Sequence, residues 1–396
     1  MQWTFVTGLS AGLVLASGVA LAGGQNAPGI TDTEIKIGQT MPYSGPASAW
    51  GAIGRAELAY VKMINDRGGI RGRKITLISL DDGFSPPKTV EQTRRLVEEE
   101  GVAFIYGSLG PGNLSIRDYL NEHRVPQLFI LAPLEYSNDP QHYPWTVGLQ
   151  PTYYREGLMH ARYILAHKPD AKIGMLLENY PNHESLMGLK AGLGDLASKL
   201  IVKEVSYNET DPTIASQIVT LKASGADTFY IMATPKFAAQ AIRKASEIGW
   251  KPLRFLSFVS HSISAVLEPA GLENSIGIIS GFYAKDPTDP QWADDAYTRE
   301  FLSWLQSYYS GGKSSDIFAV LGYDVIQPLI YLLEQCGDNL SRENIMRQAE
   351  SFHQVRFPWL LPGITLNTSR TDHLPIKEMR ETRFNGKTWE LLDDLN

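Results

Sequence analysis

The chain has 396 residues, 43% of them hydrophobic and 20% charged, with a formal net charge of -7. That length exceeds what one compact core usually serves and suits two lobes, while the acidic balance leaves no basic patch and excludes nucleic acid as a partner class. The single cysteine, Cys336, excludes an intramolecular disulfide.

Residues 1–22 read as an export signal. Val6 to Ala22 is apolar and small, no charged side chain precedes Asp32, and Ala20-Leu21-Ala22 supplies an A-x-A cleavage pattern before Gly23. The leader lacks the usual lysine or arginine, but Gly8, Ser10, Gly12, Ser17 and Gly18 dilute the run below a membrane span. The expected product is soluble and periplasmic, and no cysteine near the cleavage point offers a lipid anchor.

Glu34 to Thr40 reads as a strand ending in the turn Met41-Pro42-Tyr43-Ser44-Gly45, followed by a helix with Ile53, Ala56, Tyr60 and Met63 on one face. Ile75 to Leu80 is the next strand, and Ser85-Pro86-Pro87 opens its helix, since proline is tolerated in a first turn. Val102 to Tyr106 breaks at Gly107-Ser108 and passes through Gly110-Pro111-Gly112 into another helix. Gln127 to Leu131 is a fourth strand, ending at Ala132-Pro133. Strand alternating with helix implies a parallel sheet covered on both faces.

The pattern restarts after Pro144 to Gly148, which reads as a connection. A helix around Leu158, Ala161 and Leu165 leads to strand Lys172 to Leu177, helix Leu186 to Lys199 and strand Ile201 to Tyr207. Helix Ile214 to Lys222, strand Thr228 to Met232, helix Phe237 to Ile248 and strand Phe255 to Phe258 complete a second parallel set. A strand at Ile276 to Phe282 is followed by helices at Ala293 to Tyr309, Ile317 to Gln335 and Arg342 to Glu350, the last behind the N-cap Ser341. Met379 to Phe384 and Thr388 to Leu392 flank Asn385-Gly386, a hairpin signal. The fold class is therefore α/β with two parallel-sheet lobes, and the chain crosses between them more than once.

In parallel sheets, ligands bind beyond the carboxyl ends of the strands. The turns at issue are Tyr43-Ser44, Ser108-Leu109-Gly110 and Ala132-Pro133 from one lobe, with Asn179-Tyr180, Thr234 and Ser260 to Ser262 from the other. The glycine turn after Tyr106 presents backbone N–H groups and a hydroxyl at a helix start, a setting suited to a phosphate or a small carboxylate. These turns hold hydroxyls and aromatic rings but no nucleophile and base pair. Gly312-Lys313-Ser314 follows a helix and lacks the earlier glycine of a phosphate loop, and Gly110-x-Gly112-x-x-Ser115 falls one glycine short of a dinucleotide fingerprint. His183-Glu184 lacks a second histidine at 187, and the eight histidines show no ligand spacing. No catalytic residue, metal site or cofactor is expected.

The segments Ile35 to Gly51 (IKIGQTMPYSGPASAWG), Met63 to Ile75 (MINDRGGIRGRKI), Asp81 to Glu98 (DDGFSPPKTVEQTRRLVE), Ala233 to Pro252, Lys285 to Trp292 (KDPTDPQW) and Cys336 to Ala349 span nearly the whole chain. Together they resemble the periplasmic solute-binding proteins of ABC importers in the branched-chain amino-acid (Leu/Ile/Val-binding) family, and within it a subgroup associated with aromatic acids from plant material. The resemblance implies a type I periplasmic binding protein: two Rossmann-like lobes joined by three crossovers, with residues 23–148 plus 281–372 in one and 149–280 plus 373–396 in the other. It also implies a monomer that delivers its ligand to an ABC permease and ATPase. Tyr43 would cover the ligand, while Ser108 and the backbone near Ala132 would bind its carboxylate.

Two departures from that family bear on the ligand. Its amino-acid binders meet the ligand ammonium with an acid after the strand that ends here at Phe258, where this chain has Ser260-His261-Ser262 and its nearest acid is Glu268. A buried ammonium without a countercharge is unfavourable by roughly several kcal/mol. The expectation is thus a small organic carboxylate, aromatic or acyl, with an amino acid or amide as the alternative. A sensor subunit for a signalling receptor is a second alternative. The family's aromatic-glycine turn is also replaced, by Asn179 to His183. The expected site comprises Tyr43, Ser44, Ser108, Leu109, Gly110, Ala132, Pro133, Asn179, Tyr180, Thr234, Ser260 and Ser262.

Overall fold

The computed structural model describes residues 26–179 and 183–392; the expected export signal and Tyr180 lie outside them. Two sheets organise the rest. The first runs in the order β2-β1-β3-β4-β5, all parallel, with β1 Glu34–Met41, β2 Lys74–Asp81, β3 Ile105–Tyr106, β4 Gln127–Ile130 and β5 Thr146–Gly148. β5 occupies what the sequence presents as a connection. Three residues between Pro144 and a closing glycine are too few to show an alternating pattern.

The second sheet contains β6 Ile173–Glu178, β7 Ile201–Tyr207, β8 Thr228–Met232, β9 Leu253–Leu256, β10 Ile279–Phe282, β11 Arg380–Phe384 and β12 Trp389–Leu391. Its order is β12-β11-β10-β9-β8-β6-β7, and the last hairpin, turned at Asn385-Gly386, adds antiparallel strands to an otherwise parallel sheet. Strand side chains alternate between two buried faces. Ile173, Met175 and Leu177 of β6 face one cluster with Tyr230 and Phe255, while Leu176 faces another with Phe229 and Ile231.

The chain crosses between the sheets after β5, after β10 and before β11, giving three crossovers. The second falls beyond Phe282 and not at 280, because β10 pairs with β11 through its last residue. The crossing strands lie side by side: Ile376 N–H donates to Leu149 O, and Gln150 Nε2 donates to the Tyr283 hydroxyl at 2.8 Å. Between the second and third crossings the chain returns to the first lobe. There the expected helix Ile317 to Gln335 is two, Ile317–Val325 and Gln327–Cys336, since Pro328 lacks the N–H that would continue the ladder. This segment is apolar and long enough to cross a membrane, yet it is mostly buried in the first-lobe core. Cys336, a packed thiol, lies at its end.

Helices follow the carboxyl ends of the first three strands: α1 Gly51–Asp66 after β1, α2 Pro86–Arg94 after β2 and α3 Gly112–Glu122 after β3. In the second lobe α4 Tyr153–His167 precedes β6 and α5 Glu184–Leu193 follows it. α4 and α5 pack backbone to backbone. A Cβ on Gly188 would stand 1.9 Å from Tyr154 O, and one on Gly157 would stand 2.4 Å from Ser185 O. No side chain fits, so Gly188→Ala must push the helices apart. It should destabilise the protein by about 1–3 kcal/mol, measured as a lower denaturant midpoint.

Candidate functional site

The turns after the strands of both sheets meet in one cleft between the lobes, of about 870 Å³ measured out to its open mouth. From the first lobe come Trp50 and Ile53 at the start of α1, Phe84 after β2, Leu109 to Pro111 after β3 and Leu131 to Leu134 after β4. From the second come Leu177 and Glu178 of β6, His183 to Ser185 at the start of α5, Met232 of β8, and Phe258 and Val259 after β9. Gln150 and Tyr153 line it from the first crossover, and Phe318 and Leu321 from the helix behind. The walls are chiefly apolar and aromatic, the usual make-up of a small-molecule site.

Gly110 shapes one wall. Its φ is +85°, and a Cβ there would fall 2.2 Å from the Phe84 ring, so only glycine lets that ring lie on the turn. Phe84 in turn packs on Trp50, with ring centroids 5.3 Å apart. The Trp50 indole N–H donates across the cleft to Val259 O at 3.0 Å. A second bond joins the lobes at Glu184, whose carboxylate oxygens accept from the Glu135 N–H at 2.8 and 3.0 Å.

Polar chemistry in the cleft is acidic. Among the described residues lining it there is no lysine or arginine, whereas Glu178 and Glu184 both reach it. Burial pushes the Glu178 carboxyl up to about 8, and the charge of Glu209 adds to the shift. Burial likewise raises Glu184 to about 7; the bond from the Glu135 N–H opposes the rise and the Glu135 charge reinforces it. The segment after β9 offers an ammonium no acidic partner before Glu268. The structure brings carboxyls to the cleft from β6 and α5 instead.

Of the residues expected at the site, the cleft gathers Leu109, Gly110, Ala132 and Pro133. Tyr180 lies outside the described residues, and the remaining expected residues stand elsewhere. Tyr43 packs beside α1 with its hydroxyl 2.6 Å from Ser79 Oγ, and Ser44 Oγ donates to Asp81 at 2.6 Å on the surface. Ser108 is fully buried in the first lobe, its Oγ accepting from the Thr40 N–H at 3.3 Å. Asn179 lines a neighbouring cavity with Phe84, Glu178 and Glu209. Thr234 is buried against the Tyr207 hydroxyl. Ser260 Oγ donates to Ala233 O, and Ser262 caps a helical turn through the Ala265 N–H and reaches Asp316 Oδ1 at 3.2 Å.

A family profile described as "Periplasmic binding protein" matches residues 34–388. A Leu/Ile/Val-binding protein homolog 1 from Brucella abortus is 26% identical over 344 residues, covering 83% of this chain and 86% of its own. Among solved structures, a branched chain amino acid ABC transporter protein from Thermus thermophilus with bound valine superposes with a TM-score of 0.81 at 14% identity, covering 92% of this chain and 97% of that one. A fatty acid ABC transporter substrate-binding protein from Thermomonospora curvata gives 0.76 at 19% identity, covering 94% and 95%. At such identities the solved structures speak for the fold alone.

Ser108 provides a check on these placements. Ser108→Ala leaves the buried Thr40 N–H without its side-chain acceptor, so the ligand-free protein should lose about 1–3 kcal/mol of stability while ligand affinity stays unchanged. A thermal melt beside a binding titration measures both.

Proposed function

Since the chain belongs to the periplasmic binding protein family, and its curated relative is named for leucine, isoleucine and valine, we propose that it is the substrate-binding component of an ABC importer. In this reading it is not an enzyme. It is exported to the periplasm, acts there as a monomer, closes its two lobes on a small molecule, and hands that molecule to a membrane permease driven by an ATPase. The ligand is an apolar α-amino acid. Its side chain lies against Trp50, Phe84, Phe258 and Leu321, and its carboxylate meets the start of α3, where a helix N-terminus favours negative charge. Its ammonium faces Glu178 and Glu184.

The observation that carries this reading is the electrostatic character of the cleft: two carboxyls raised by burial, and no lysine or arginine among the described lining residues. A cationic group entering there relieves an unfavourable desolvation. A second reading, the carboxylate without an amine expected from sequence, draws on the same raised carboxyls. When protonated they are hydrogen-bond donors and tolerate an anion beside them.

The two readings predict opposite pH dependence. An ammonium binds best to ionised carboxylates, so leucine affinity should rise several-fold per unit between about pH 6 and 8, as Glu184 and then Glu178 lose their protons. A carboxylate ligand needs them protonated, so its affinity should fall over the same range. Calorimetric titration with leucine and with its deaminated analogue isocaproate decides between them. Tighter isocaproate binding that weakens as pH rises would replace the amino acid with an amine-free acid.

A further inference from the structure

A buried set of charges lies beneath the second-lobe wall of the cleft without lining it. Glu156, on α4 and 0% exposed, accepts from the Phe258 N–H at 2.7 Å and from Ser257 Oγ at 2.8 Å. One helical turn on, His160 has Nε2 3.6 Å from Glu156 Oε1 and Nδ1 3.0 Å from Glu381 Oε1 on β11. Burial alone would lower the pKa of this imidazole. Glu381 and Glu156 outweigh it and raise the group to about 9, so a cation stands between two acids.

The bond to Phe258 has a backbone cause. Ser257 N–H still donates to Ile231 O on the neighbouring strand, but the next residue has left the sheet and its N–H needs another acceptor. Glu156 supplies one, with the added strength of a charged partner. The turn held in this way presents Phe258 and Val259 to the cleft, and Val259 O receives the Trp50 indole from the opposite lobe.

We propose that Glu156 is a positioning residue: by pinning Ser257 and Phe258 it fixes where the Val259 carbonyl stands, and so governs the Trp50 bond between the lobes. His160, held by Glu381, keeps the carboxylate in place from behind. A purely structural role would make Glu156 a stabiliser of the second lobe as a whole. The positioning role makes its removal felt selectively at the lobe contact.

Indole N–H exchange separates the two, because Trp250 offers an internal control: its Nε1 donates to Ala226 O at 2.9 Å within the second-lobe core. In ligand-free Glu156→Met, which keeps the side chain's bulk but offers no oxygen acceptor, exchange of the Trp50 indole should quicken by about tenfold or more, the effect of losing a bond worth about 1.4 kcal/mol. Trp250 should hold its wild-type rate. Glu156→Gln retains one oxygen for the Phe258 N–H and should restore most of the protection. If Glu156→Met fails to fold, Ser257→Ala removes one of the two bonds and should shift Trp50 alone, by less.

Quickening of Trp50 and Trp250 together, no change at Trp50, or a Trp50 indole already unprotected in the wild type would overturn the proposal. The role rests on the cleft being the ligand site, but the measurement uses no ligand. A failure of leucine to bind would therefore count against the ligand reading and not against this one.

Discussion

Parallel strand pairing is the constraint on which the site depends. In a parallel sheet every strand delivers its carboxyl end to the same edge, so the turns after β1, β2, β3 and β4 have one place to go, as do those after β6, β8 and β9. Setting two such edges face to face brings segments distant in sequence to one cleft without requiring any of them to be long. The three crossing strands, tied through Leu149, Gln150, Tyr283 and Ile376, hold the edges opposed.

Within that frame, two of the bonds between the lobes use a group that would otherwise be costly to bury. The Trp50 indole N–H finds Val259 O, and the Glu184 carboxylate finds the Glu135 N–H. Both partners are backbone groups on turns whose positions are set by deeper contacts. The wall carrying Val259 leans on Glu156, and the wall carrying Leu109 and Gly110 is held by Asn113, whose Nδ2 donates to Ser108 O and Gly110 O. The lining of the cleft and the bonds across it thus share the same few turns.

Much of the architecture was legible because it is periodic. Alternating apolar strands and amphipathic helices gave two sheets, and Asn385-Gly386 gave the final hairpin. What escaped were features whose signal is short or lies in space: β5, only Thr146–Gly148, and the break before Pro328 in an apolar run that reads as one helix. The site was legible as turns but not as side chains. Leu109, Gly110, Ala132 and Pro133 follow from strand ends, whereas the hydroxyls of Ser108, Ser260 and Ser262 bond to Thr40, Ala233 and Ala265 of the protein itself. Trp50 and Phe84 carried a usable signal, as large aromatics beside glycine-rich turns at strand ends. Glu178 and Glu184 did not, since an acid ending a strand or starting a helix is ordinary, and only the opposing lobe makes these two notable.

The central claim is that one ligand is held by turns of both lobes at once. Backbone amide resonances of the labelled protein, followed during titration with leucine, test it most directly. Saturable shifts are expected at Leu109, Gly110 and Ala132 that develop together with those at Met232, Phe258 and Val259, all fitting a single dissociation constant. Shifts confined to one lobe, shifts centred away from these turns, or no saturable shifts at all would contradict it.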